Sequence, residues 1–128
     1  MGLTKVTVKI GRGREAVDVD CLVDSGASYT LLPENVWRKL KLRPIDEMKF
    51  VLADGTVIKR KLSEVWLEYE GRGRTTQVIL GEKGDEALLG AMTLEALGLV
   101  LNPFTRELGP MKLMLASQKR KDRNENEK

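Results

Sequence analysis

The stretch from Cys21 to Leu32, CLVDSGASYTLL, sets one carboxylate, Asp24, where an apolar run gives way to a turn of small residues, and the chain then returns at once to apolar residues. An acid leaving the core at a tight bend is placed for general acid–base work, but a lone carboxylate needs a partner for it. Read by itself, Asp24-Ser25-Gly26 favours a plain turn, with the aspartate accepting hydrogen bonds from nearby backbone N–H groups. Three other aspartates compete with it. Asp18 and Asp20 share a strand face with Asp24 by period two, as in a metal site, but Leu22 interrupts that face and no ligand-rich loop follows. A solvated edge is expected for those two, with no metal, and Asp54 before Gly55 reads as a turn former.

The rest of the composition narrows the chemistry. The 128 residues include no histidine, which removes Ser-His-Asp and Cys-His hydrolases, histidine-ligated zinc and histidine acid–base chemistry. Cys21 is the only cysteine, so an intrachain disulfide is impossible. A reducing, cytoplasmic location is expected, with Cys21 itself a small buried hydrophobe between Val19 and Val23. No cofactor is implied. The longest apolar stretch, ALLGAMTLEALGLVL, is broken by Thr93 and Glu95 and falls short of a membrane span, and the first residues lack the layout of a secretory signal. The formal charge is +3, of which residues 118–128 carry +2 from five basic and three acidic residues. The basic excess therefore sits mainly in a polar tail expected to be disordered, and nucleic acid is not the expected partner. The expected organisation is one domain over residues 1–117 followed by that tail.

The elements around Asp24 are mostly strands. The word GRGR occurs at Gly11–Arg14 and again at Gly71–Arg74, each time between alternating apolar runs: KVTVKI and EAVDVDCLVD for the first, EVWLEYE and TTQVIL for the second. Both read as hairpin turns. Each hairpin leads through an apolar strand to a short loop and a short helix, PENVWRKLKL in the first half and AMTLEAL in the second, the latter stopped by Gly98. Gly11 and Gly71 are 60 residues apart and Gly26 and Gly90 are 64 apart, a difference matched by the insertion GEKG. The chain thus reads as an internal duplication in which Leu88-Leu89-Gly90 stands where the first half has Asp24-Ser25-Gly26. Between the halves, MKFVLADGTVIKRKL carries the strongest two-residue hairpin signal, Asp54-Gly55. LVLNPFTREL reads as a last hairpin and Met111 to Leu115 as a final strand.

Taken together, LVDSGAS, the hairpin LADGTVIKRK and ALLGAMTLEALGL resemble, in order and spacing, the catalytic loop, flap and second loop with helix of the retroviral-type (retropepsin-like) aspartic proteases, over roughly Thr4 to Leu108. The resemblance implies an all-β fold, a closed barrel or sandwich of duplicated hairpin–loop–helix units with one or two short helices and a flap hairpin. It implies an aspartic endopeptidase active as a two-fold homodimer, with a water activated between the two Asp24 carboxylates and a peptide or protein as substrate. Leu89 stands at the acid's place in the second half, so the second carboxylate would come from the other copy. Ser25 would lock the two loops across the axis, Gly26 would make room for substrate beside Ala27, and Ser28 would bond the outer oxygen of Asp24. Leu88, Leu89 and Gly90 would back the loop, and Ala53, Asp54, Gly55 and Thr56 would close over the substrate as the flap. The family's interface ion pair is missing on both sides, Ser28 and Ala91 standing in its place, so the dimer would be held otherwise, through Met111 to Leu115. The competing expectation is an inactive dimerisation or peptide-binding module on the same fold.

Overall fold

A computed structural model of the chain describes residues 3–111. The boundary at residue 117, the tail 118–128 and the strand expected beyond Met111 lie outside the described residues. Among the described residues the chain forms nine strands and two short α-helices. Strand β1 (Lys5–Ile10) runs antiparallel to β2 (Val17–Val23), pairing Lys5 with Leu22 through Ile10 with Val17. After β3 (Thr30–Leu32) and α1 (Glu34–Lys39) come β4 (Asp46–Val51), the long β5 (Val57–Tyr69) and β6 (Arg72–Leu80). Then follow β7 (Leu88–Leu89), α2 (Ala91–Ala96), and β8 (Leu99–Leu101) with β9 (Leu108–Pro110) as the last hairpin.

Seven strands make one sheet in the order β1-β2-β7-β3-β6-β5-β4. Strand β1 also pairs with β5, Lys9 with Glu68 and Ile10 with Leu67, so the first six strands close into a ring and β4 hangs outside it on β5. Closure rests on these two residue pairs, and β4, with no second partner strand among the described residues, remains an edge of the sheet. The period-two pattern of these strands fills the interior: Val8, Ile10, Val19, Cys21, Val65, Leu67 and Val78 point inward with Leu32 and Leu89. Each fully buried side chain of this kind contributes about 1.5–3 kcal/mol relative to exposure.

Cys21 is wholly buried, and burial, aided by the nearby charge of Asp20, pushes its thiol up to about 12. The thiolate is the reactive form. The folded protein at pH 8 is therefore expected to leave a thiol-reactive dye uncoloured, and denaturant to release one equivalent. Rapid labelling of the folded chain would contradict this packing. The sign of the linkage follows: the unfolded thiol ionises near 9 and the folded one does not, so this group's contribution to stability is full below pH 9 and is lost as pH rises toward 12.

The duplication is real, but its register differs from that implied by the repeated word. Strand β2 runs parallel to β7, Val23 beside Leu89, and β3 runs parallel to β6, Leu32 beside Leu80. Val23 to Leu80 and Leu32 to Leu89 are both shifts of 57 residues, and the same shift carries the β1–β2 pairing onto the β5–β6 pairing. The amide of Asp24 donates to Leu89 O at 3.0 Å, and that of Gly81 donates to Leu32 O at 2.8 Å. Gly81, not Leu89, is thus the counterpart of Asp24, and β7 is the counterpart of β3. The two GRGR segments are not equivalent. The first makes a six-residue connection with a 3-10 turn at Gly13–Glu15, whereas only Gly71 of the second lies in a turn. That two-residue turn places Glu70 and Gly71 at φ 47° and 82°, the left-handed pair a tight hairpin of strands requires, and Arg72 to Arg74 continue as β6.

Two expected turns shift in detail. Pro33 caps α1 from an extended conformation, ψ 159°, rather than forming its first turn. Val36, Trp37 and Leu40 pack on the core, and the Trp37 indole N–H donates to Gly81 O at 2.8 Å. The β4–β5 hairpin closes around three residues, Ala53-Asp54-Gly55, with Leu52 N donating to Thr56 O at 2.7 Å and Gly55 N to Leu52 O. Asp54 is a turn former as expected: its carboxylate accepts from Thr56 N at 2.9 Å, and hydrogen bonds from Thr56 hold it below the usual carboxylate range.

Candidate active site

Asp24 is the residue at which β2 leaves the barrel. Its backbone is fixed from two sides, by the amide bond to Leu89 O and by Ala27 N donating to Asp24 O at 3.1 Å. Its side chain stands exposed, and Oδ1 accepts from Gly26 N at 3.1 Å. The bond expected of a plain aspartate turn is therefore made, but it occupies one oxygen, and among the described residues no hydrogen bond reaches Oδ2.

What a plain turn lacks is the strapping below. Ala91 N donates to Ala27 O at 2.7 Å and Met92 N to Ser28 O at 3.0 Å, so the start of α2 holds the far side of the loop. Gly90 N donates to the Thr30 hydroxyl at 3.0 Å. That hydroxyl lies 2.6 Å from the Thr93 hydroxyl, which lies 2.9 Å from that of Thr76. All three threonines are buried. The three hydroxyls thus form one hydrogen-bonded chain in the order Thr30, Thr93, Thr76. A buried, satisfied polar network of this kind fixes one arrangement of the elements that share it, here β3, α2 and β6.

The site residues expected from the sequence divide into two groups. Asp24 through Ser28 and Leu88 through Gly90 come together, with Leu89 O on the acid's own amide. The exposed tip, Ala53 to Thr56, has no hydrogen bond to the loop; it is Met48 and Phe50, lower on β4, that reach Tyr29 behind the loop. Ser28 Oγ makes no hydrogen bond to Asp24 in this chain. Ser25 is exposed and borders a groove of about 260 Å³ with Ala91, Leu94, Leu99 and Met111. Asp18 and Asp20 stay exposed on β2, Asp20 accepting from the Thr7 hydroxyl at 2.6 Å. Sequence reasoning missed Thr30, Thr76, Thr93 and Tyr29, whose partners lie far along the chain.

The loop with its exposed acid, and the strands that hold it, fall within residues 6–93, the segment matched by the aspartyl protease family profile. The chain belongs to the aspartyl protease family. Solved structures of two other proteins share the architecture of this aspartyl protease. The solution structure of the simian foamy virus (mac) protease is 22% identical with a TM-score of 0.55, covering 72% of this chain and 92% of that one. The EIAV protease complexed with the inhibitor HBY-793 is 20% identical with a TM-score of 0.58, covering 76% of this chain and 89% of that one. No curated protein matches the chain in sequence. The retropepsin-like, mainly β fold expected from the sequence is thus the fold of this aspartyl protease.

Proposed function

We propose that the chain is an aspartic endopeptidase that works as a homodimer, cleaving peptide bonds with a water held between Asp24 of one copy and Asp24 of the other. The observation that carries this reading is the state of Asp24. It is exposed, with one oxygen held by Gly26 N and the other open, on a loop strapped so firmly that its direction is fixed. An acid so placed at the barrel's end lacks only a second acid, and the groove beside Ser25 offers an apolar face for the copy that brings it.

Two carboxylates within hydrogen-bonding distance share one proton. The ionised one takes a proton from the water as it attacks the peptide carbonyl, and the protonated one gives its proton to the carbonyl oxygen. Collapse of the tetrahedral adduct returns a proton to the leaving amine, with no covalent link to the protein. The substrate lies extended beneath the β4–β5 hairpin, and Ala53, Asp54, Gly55 and Thr56 close over it and exclude water. Ser25 meets its copy across the axis, Gly26 and Ala27 leave room for the peptide backbone, and Leu88, Leu89 and Gly90 back the loop.

Solution mass measured beside cleavage of an unfolded protein over a dilution series tests the shared site. Activity per chain is expected to fall as the dimer dissociates. Full activity in a demonstrated monomer would overturn the proposal, and an intact dimer inert at every pH would favour a peptide-binding module.

A further inference from the structure

The β4–β5 hairpin has a second face, opposite to the one from which Met48 and Phe50 meet Tyr29. On it Glu47 stands across from Lys61, and Lys49 directly across from Lys59. Like charges so placed repel, and among the described residues no ion pair engages Lys49, Lys59 or Lys61. Lys59 and Lys61 also line a cavity of about 560 Å³ at the root of the hairpin, where β5 faces α1 and the β6–β7 connection. Half-buried Trp37, buried Leu80 and Pro44 give this cavity an apolar part, and the exposed Lys83 brings a third free cation. Two of the acids along it are already held, Glu34 by Arg38 at 3.1 Å and Glu82 by Arg60 at 3.2 Å. Of the charged lining groups without an ion pair, three lysines thus stand against Glu47 alone.

We propose that this cavity is a binding site, separate from Asp24, for a small organic phosphate, its phosphate groups at Lys59, Lys61 and Lys83 and its body against Trp37, Pro44 and Leu80. The proposal stands apart from the peptidase reading. The volume lies in the range of small-molecule sites, about 300–1,000 Å³, and exceeds what a phosphate group alone fills. With Arg38 and Arg60 committed to their glutamates, the donors left for a ligand are ammonium groups. These lack the fork that grips a planar carboxylate and act on phosphate as point charges, so a ligand with several phosphates meets all three at once. The Trp37 indole N–H is spent on Gly81 O, so the ring offers the ligand apolar surface only. An anion here also relieves the Lys49–Lys59 repulsion. Because Lys59 and Lys61 belong to β5 and Lys83 to the β6–β7 connection, the ligand fastens the root of the hairpin to the barrel.

Calorimetric titration of the full chain with ATP, as a nucleoside triphosphate probe, tests the site without requiring turnover. The expected result is saturable binding of one ATP per chain that weakens as salt is raised, with adenosine binding at least about tenfold more weakly. Lys59→Gln and Lys83→Gln are each expected to weaken ATP by about tenfold or more, the scale of a lost charge-assisted hydrogen bond. Both positions are exposed, and protection of the Cys21 thiol reports that the variants remain folded. Lys9→Gln, which removes the same charge from β1, is the control and is expected to change binding by less than about twofold. Hydrogen exchange with ATP bound is expected to slow in β4 and β5. The absence of saturable binding, an equal loss in Lys9→Gln, or exchange unchanged in the hairpin overturns the assignment. A hexaglutamate peptide that binds as tightly as ATP overturns it too, in favour of an acidic protein segment as the partner.

Discussion

Replacing Asp24 with asparagine is expected to lower cleavage of an unfolded protein by at least about a thousandfold, the scale of losing an acid–base group. The substitution keeps size and shape. An amide oxygen still accepts from Gly26 N, and the position is exposed, so the change in stability is expected to stay within about 0.5 kcal/mol. The amide nonetheless can neither take a proton from water nor share one with a facing carboxylate. Rates at acidic pH, with circular dichroism and solution mass as controls, check the expectation. Undiminished cleavage by a folded Asp24→Asn chain would remove Asp24 from the chemistry.

Gly90→Ala is expected to be the most damaging small substitution in the loop's support. The backbone at Gly90, φ −91° and ψ 172°, suits any residue, so the demand for glycine is one of space. A Cβ there would lie 2.5 Å from both C and O of Tyr29 and 2.9 Å from Thr30 N, all backbone atoms that cannot swing aside. Relief requires α2 to move off β3. That movement strains the bonds from Gly90 N to Thr30, Ala91 N to Ala27 O and Met92 N to Ser28 O together. Overpacking plus the loss of a buried hydrogen bond predicts destabilisation of about 3 kcal/mol, with activity falling alongside. Gly109, with open space around its would-be Cβ, is the control, and Gly109→Ala is expected to be near neutral. Equal denaturation midpoints for the two variants would mean that the strap is slack.

The parts legible in the sequence are those whose cause is local. The alternation in KVTVKI gives β1 at the residues observed, and Gly98, at φ 69°, ends α2 one residue past its cap. The exit of Asp24 from an apolar strand into small residues is likewise a local pattern, and it places the acid correctly. The register of the duplication was not legible from GRGR. Glycine is favoured wherever a turn needs positive φ, so the same word can sit in a six-residue connection and at the end of a two-residue turn. Register is fixed instead by which strands lie parallel, and β2 with β7 and β3 with β6 are pairings between distant segments. The threonine chain is hidden for the same reason: Thr30, Thr76 and Thr93 have no common period, and only the folded barrel brings their hydroxyls together. Tyr29 sits in a strip of small polar residues, and its contact with Phe50 depends on the hairpin folding back over the loop.

The counterpart of Asp24 within the chain, Gly81, has a consequence for how the protein can change. A Cβ at Gly81 would lie 2.7 Å from Leu32 O, 2.9 Å from Leu31 Cδ2 and 3.0 Å from Asp85 Oδ2. No side chain fits there, and an acid would also face the charge of Asp85. The internal symmetry therefore offers no single mutational step by which one chain could acquire both acids and abandon its partner. In the proposed dimer every site is the joint product of two copies. A gene copy encoding the asparagine variant would then draw normal chains into inert pairs, and its inheritance would be dominant rather than recessive.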